Sequence, residues 1–281
     1  MSWFVYALLT AILNTIYSLL SRVLSVKSEN PRAFSVIFSL FAALFSLVFI
    51  IVEPFYFKPV SFLIIALTIL SSICYGIKNR TQFYASKYLE ASISTVILQL
   101  SPVIGFVAAL LILHENVTFI KLLAVVFILA GNFIAVFRNS SIQFNKGLLF
   151  ALAGAFSMGI AFVVDKKASA SYSLPVYSSM IYLSTGIYNY FLPVLPLRSL
   201  EKELVKAKWK IALLAALNVA SYYFLLSAYR LAEASIVIPV TASSTVLTVI
   251  AGMLILKERS RPYQKIIAMI CIFIGIILIN Y

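Results

Sequence analysis

Tyr75, Lys78, Asn79 and Gln82 sit at relative positions 0, 3, 4 and 7. On a helix that spacing gathers a phenol, an ammonium and two amides on one face. Such a set can hold a small polar molecule. The ammonium takes a carboxylate or phosphate, while the amides and phenol give and accept hydrogen bonds around it. Further candidates lie in other apolar stretches: Asn14 and Tyr17, Gln99, Asn218 and Tyr222, and Thr241 with Ser244. Polar groups inside a bilayer are costly, which makes each of them a candidate substrate contact. The plain alternative is helix-to-helix packing through hydrogen bonds worth roughly 0.6 kcal/mol each.

Lys78 is the charged member of this set. It lies roughly 7 Å from the middle of its helix at 1.5 Å per residue, so it either faces a cavity and takes an anionic group of a cargo or snorkels to the interface. Arg80 is on another face and nearer the helix end, where snorkelling is the expectation. Asp165 stands at the end of an apolar run beside Lys166 and Lys167. The expectation there is ion pairing in water, with a protonation site as the second reading. Tyr75, Tyr222 and Tyr17 are placed to form an aromatic cage for an organic cation, although Lys78 beside them would repel one.

The elements that position these residues follow from composition. Of 281 residues 63% are hydrophobic and 11% charged, whereas soluble domains carry about 25% charged residues. Ten apolar runs are long enough to cross a bilayer as helices: 3–20, 33–52, 61–84, 92–113, 118–137, 147–165, 175–196, 210–229, 235–256 and 262–281. Prolines 31 and 175 sit in the first turn of the second and seventh runs.

The runs form two copies of one unit. Leu89-Glu90-Ala91-Ser92-Ile93 matches Ala232-Glu233-Ala234-Ser235-Ile236 at an offset of 143 residues. Tyr6-Ala7-Leu8 matches Phe150-Ala151-Leu152, and Pro31 matches Pro175, at an offset of 144. Five helices per copy is an odd number, so the second copy enters the membrane upside down. The expected fold is an all-α integral membrane protein of ten transmembrane helices in two inverted five-helix repeats, residues 1–138 and 139–281, forming one transport domain. The repeat-mates of Tyr75, Lys78, Asn79 and Gln82 are Asn218, Ser221, Tyr222 and Leu225. Both faces are polar, which points to a shared cavity, but the charge of Lys78 occurs once.

Several classes are set aside. The net charge of +13 resides in short loops, as membrane insertion and anionic lipid require, which argues against nucleic acid. Cys74 and Cys271 form no disulfide framework. His114 has no second imidazole for a metal site. No phosphate-binding Gly-x-x-x-x-Gly-Lys occurs, and no cofactor is expected. The first run has no basic segment before it and is read as a retained helix. Of the 22 Lys and Arg, 15 fall in alternate loops, including Leu197–Trp209, and five in the others. By charge this puts both termini outside. Glu115 and Glu258 close the same junction in both copies and read as turn or cap features. Glu90 and Glu233 stand near helix starts, where a carboxylate suits the dipole.

The duplication, together with Phe83-Tyr84-Ala85-Ser86-Lys87-Tyr88-Leu89-Glu90-Ala91-Ser92 at the junction of helices 3 and 4, resembles the drug/metabolite transporter superfamily, EamA-type. His114-Glu115-Asn116-Val117-Thr118 is similar to its Gly-Glu-x-Leu-Thr segment, and Lys257-Glu258-Arg259 repeats part of it. Ser101-Pro102 stands where the family usually has Glu-Pro. The resemblance implies a gradient-driven carrier or exchanger whose helices 1, 3, 4, 6, 8 and 9 surround a central cavity, with both termini cytoplasmic, opposite to the charge count.

The expected function is secondary-active transport of a small polar organic metabolite, amino-acid-like for preference, in the inner or plasma membrane, with protons or a counter-substrate as coupling partner. Rival cargoes are a sugar phosphate or nucleotide-sugar and a choline-like cation. A lipid flippase or membrane-embedded enzyme is the alternative class; an enzyme would need convergent acid, base, nucleophile or metal groups.

Overall fold

The computed structural model describes residues 2–23, 28–56, 60–89, 91–137, 145–192, 194–255 and 262–279. Glu90, Lys257, Glu258 and Arg259 lie outside them. The described chain is helical: α1 (Trp3–Val23), α2 (Pro31–Val48), α3 (Phe62–Tyr88), α4 (Ala91–Leu98), α5 (Leu100–Leu113), α6 (Phe119–Val136), α7 (Lys146–Ser169), α8 (Leu174–Phe191), α9 (Leu197–Ala207), α10 (Trp209–Leu231), α11 (Ala234–Ala242), α12 (Ser244–Ile255) and α13 (Pro262–Ile279). Starts are set by side-chain caps. Asn30, Ser61, Thr118 and Asn145 accept from the backbone N–H three residues on, which satisfies a donor the helix leaves free.

Eight stretches are long and apolar enough to cross a bilayer. The runs at 175–196 and 262–281 are not among them. α8 carries Ser178, Ser184, Thr185, Asn189 and four tyrosines, which lowers its hydropathy, and α13 is a shorter apolar helix. Exposed side chains such as Phe62, Leu111, Phe119 and Phe273 form the apolar belt that lipid covers.

Two expected runs are broken midway. The run at 92–113 splits into α4 and α5 at Gln99, and the run at 235–256 splits into α11 and α12 at Ser243. The breaks are repeat-related, but the prolines are not: Pro102 follows the first break and Pro239 precedes the second. Each proline removes one N–H and crowds the carbonyl four residues before it. At the first break a serine takes up part of the loss: Ser101 Oγ donates to Leu98 O, the carbonyl four before Pro102, at 2.8 Å. At the second, Ser243 Oγ donates to Val240 O at 2.6 Å. The polar stretch Leu197–Trp209, expected as a loop, is mostly α9. This helix packs on the start of α2, where Glu203 Oε1 accepts from Asn30 N. Beside it Lys206 donates to the exposed Glu29 and holds that carboxyl below its usual range.

Two pairs of repeat-mates pack against each other antiparallel. In α2 and α8, Arg32 Nη2 donates to Asn189 O at 2.9 Å, while Gly186 lies against Ser39. In α6 and α13 the match is closer. A Cβ on Gly131 would come within 2.8 Å of Ala268 O, and one on Gly275 within 2.7 Å of Ala124 O. Those are the same two positions seen from either repeat, at the offset of 144. Small residues let two membrane helices approach this closely. The exchange continues between α1 and α10, where Thr10 and Ser221 bond through their hydroxyls and carbonyls. In the contact that the repeat relates to this one, between α3 and α7, Gly154 lies against Thr81 and Lys78 O. The bundle therefore has two ends: end A, where α3, α6, α8 and α11 begin, and end B, where α2, α7, α10 and α13 begin.

This crossing can be tested by overpacking. Gly131→Leu and Gly275→Leu should each destabilise the protein by about 1–3 kcal/mol, and by similar amounts. Lipid-facing Leu111→Ala should cost far less. Thermal unfolding in detergent reads all three; unequal effects at the two glycines would contradict the two-fold crossing.

Candidate functional site

α7 places Asp165, the one aspartate of the chain, fully inside the bundle at 0% exposure. Four hydroxyls from three other helices meet it. Ser71 of α3 and Tyr177 of α8 donate to Oδ1 at 2.5 and 2.7 Å. Tyr75 of α3 and Tyr222 of α10 donate to Oδ2, each at 2.7 Å. A carboxylate accepts about four hydrogen bonds, and here each oxygen takes two. No salt bridge reaches Asp165 among the described residues. The expected pairing in water with Lys166 or Lys167 does not occur, because the α7–α8 turn is short and α10 covers this face. Lys166 instead donates to the carbonyls of Tyr229 and Ala232, the end of α10, where a cation suits the helix dipole.

Aromatic rings extend the site. Tyr222 meets Tyr75 edge-on at 6.0 Å and Tyr182 at 5.6 Å between centroids. Tyr182 OH donates to Asn218 Oδ1 at 2.6 Å. The Tyr229 hydroxyl is buried with no partner.

Lys78 follows Tyr75 by one turn of α3. The side chain is half-buried, and its nearest acceptor is Asn79 Oδ1 at 3.5 Å. A second polar layer surrounds the helix breaks. Gln99 Nε2 donates to Thr245 Oγ1 at 3.3 Å, so one break touches the other. Thr15 Oγ1 donates to the Ser244 carbonyl at 3.2 Å. Ser221 Oγ donates to Asn14 Oδ1 at 2.8 Å.

Of the eleven residues singled out by sequence, Tyr75 and Tyr222 converge on Asp165, and Asn218 joins them through Tyr182. Asn14, Gln99 and Ser244 belong to the layer at the breaks. Thr241 is buried and its hydroxyl bonds Ile238 O at 3.0 Å within its own helix. Tyr17 packs edge-on against Phe38, and Gln82 is exposed. A crevice of about 360 Å³ opens between the starts of α3 and α8, lined by Tyr56, Ile65, Ile69, Tyr172 and Met180; it holds none of the eleven. Sequence reasoning missed Asp165, Ser71, Tyr177 and Tyr182 as a group. A lone aspartate in an apolar run, and a serine four residues before Tyr75 on the same face, were the available signals.

End A is closed above this site. Glu115 Oε1 and Oε2 accept from Ala234 N and Ser235 N, both at 2.8 Å, so the carboxylate caps α11 of the other repeat. Glu233 pairs with Lys121. His114, which stands where the similar segment has Gly, ends α5 at φ 52°, a left-handed conformation that favours glycine.

Comparison with known proteins agrees with this architecture. The model of the EamA-like transporter family matches twice, over residues 1–137 and 145–281. A solved crystal structure of 13% identity superposes with a TM-score of 0.75, covering 98% of this chain and 95% of its own; at that identity the likeness concerns the fold alone. No curated protein matches.

Removing one hydroxyl at a time separates bonded from idle groups. Tyr75→Phe, Tyr177→Phe and Tyr222→Phe should each cost about 1.5–3 kcal/mol, the scale of a hydrogen bond to a charged group. Tyr229→Phe, equally buried, should be nearly neutral. Thermal unfolding of the four variants decides, and a Tyr229→Phe loss as large as the others would contradict this geometry.

Proposed function

The chain belongs to the EamA-like transporter family, whose members are membrane transporters of small molecules, and we propose that it is a secondary-active carrier of an amino-acid-like metabolite. The observation that carries this reading is Lys78, an ammonium within the bundle that makes no salt bridge among the described residues. A charge held there calls for an opposite charge, and a cargo carboxylate supplies it. The ammonium of the same cargo would lie one turn away, against the phenol oxygens and ring faces of Tyr75 and Tyr222, in the field of Asp165. Asn79 and Gln99 offer amide partners.

In this reading the chain crosses the membrane ten times as two inverted repeats, in the inner or plasma membrane. The antiparallel packing of α2 on α8 and of α6 on α13 supports inversion. The paired breaks at Gln99 and Ser243 support a central site, since discontinuous helices commonly form substrate sites near the midplane. Transport proceeds by alternating access as the halves part at one end and close at the other. The coupling partner is a proton or a counter-substrate. Asp165 is the group to which a proton would matter, because protonation displaces one of its four donors.

A second reading, an organic cation, is favoured by Asp165 with its surrounding tyrosines. Uptake into proteoliposomes of neutral amino acids, sugar phosphates and choline separates the cargo classes. Lys78→Gln should insert and fold like the parent while its affinity for an amino acid falls about 10- to 100-fold, the equivalent of one charge-assisted hydrogen bond. Lys78→Arg should lose less. Unchanged affinity in Lys78→Gln would contradict the anionic contact and put the cation reading first.

A further inference from the structure

Arg80 does not snorkel freely into water. Its guanidinium lies over the ring of Tyr188, 5.1 Å from the centroid. Tyr188 in turn is seated on α3, where a Cβ at Gly76 would come within 2.4 Å of its ring. The ring holds the cation in place. A ring face accepts no in-line N–H bond from the whole fork, so the guanidinium still needs acceptors. Nε and Nη2, which together form one side of the fork, are buried and have no hydrogen-bond partner among the described residues. Two parallel donors on one edge match two oxygens of a phosphate or carboxylate.

A second guanidinium stands beside the first. Arg32, in the first turn of α2, donates through Nη2 to Asn189 O, the residue after Tyr188. Both guanidiniums thus lie against the same stretch of α8, one on Tyr188 and one on Asn189. Among the described acids nearby, Glu203 accepts from Asn30 N and Glu29 pairs with Lys206. The empty buried fork of Arg80 calls for an anion.

We propose that Arg80 and Arg32 form a binding site for a phosphate oxyanion at end B of the bundle, between α2, α3 and α8. The site is separate from the Asp165 cluster, which lies towards end A, and does not depend on which cargo the protein carries. End B also carries α9 with Arg198, Lys202 and Lys206, which raises the local concentration of anions. The phosphate comes either from an anionic lipid headgroup or from a soluble phosphate.

Thermal unfolding of the delipidated protein in detergent tests the site. Three additions are compared at matched ionic strength: phosphatidylglycerol, a galactosyl diacylglycerol of the same chains, and inorganic phosphate. The proposal expects phosphatidylglycerol or inorganic phosphate to raise the Tm of the parent by several degrees while the galactolipid does not. A rise with phosphatidylglycerol alone assigns the site to a headgroup, and a rise with inorganic phosphate assigns it to a soluble anion. In Arg80→Gln the rise should disappear, and in Lys146→Gln, an exposed cation at the same end, it should persist. Should Arg80→Gln not fold, Arg80→Lys, which keeps the charge and loses the fork, should show a smaller rise. No rise in the parent, or an equal rise in the Arg80 variants, overturns the proposal.

Discussion

A carboxylate taken out of water must be met by donors, and this requirement organises end A. Leaving Asp165 unpaired would cost more than helix packing returns. The four hydroxyls that meet it come from α3, α8 and α10, so these helices have to converge on α7. Convergence fixes the rings of Tyr75, Tyr222 and Tyr182 against one another, and those rings form the wall of the proposed cargo site. Above them, Glu115 of one repeat caps α11 of the other, and Lys166 caps the end of α10. One cluster thus holds the packing of this end together and borders the proposed cargo site.

The two copies are alike where the scaffold needs them to be. Gly131 and Gly275 make the same close approach from opposite sides, and the breaks at Gln99 and Ser243 fall within one residue of corresponding positions. They differ where charge is placed. Asp165 corresponds to Ser21, whose hydroxyl merely bonds Ser18 O. Lys78 corresponds to Ser221, which joins α10 to α1. In the proposed reading, a symmetric frame with one acid and one base on different helices would give a polar cargo a direction in which to lie.

Much of this was legible in the residues. The offsets of 143 and 144 gave the repeats that the family model also matches, the apolar runs gave an all-helical chain with eight spans long enough to cross a membrane, and the spacing on α3 picked out Tyr75, which meets Asp165. Glu115 was expected as a turn or cap feature, and a capping role is what it has, though across the repeat boundary, which spacing does not reveal. Asp165 was misjudged because two lysines follow it, and only the packing of α10 decides between water and burial. The helix breaks were hidden because the prolines near them stand at non-equivalent positions in the two copies, Pro102 just after one break and Pro239 inside the helix before the other. Gln82 matched the polar face by period, yet the end of α3 turns it outward.

Central to the account is that the halves part at end A to admit cargo. Asn116→Cys on the α5–α6 loop and Ala232→Cys before α11, in a background lacking Cys74 and Cys271, allow that end to be tied by a short cleavable thiol crosslinker. Transport into proteoliposomes, measured before crosslinking, after it, and after cleavage of the linker, is the most direct test. The account predicts parental transport, then loss, then recovery. Transport that continues undiminished with end A tied would contradict it.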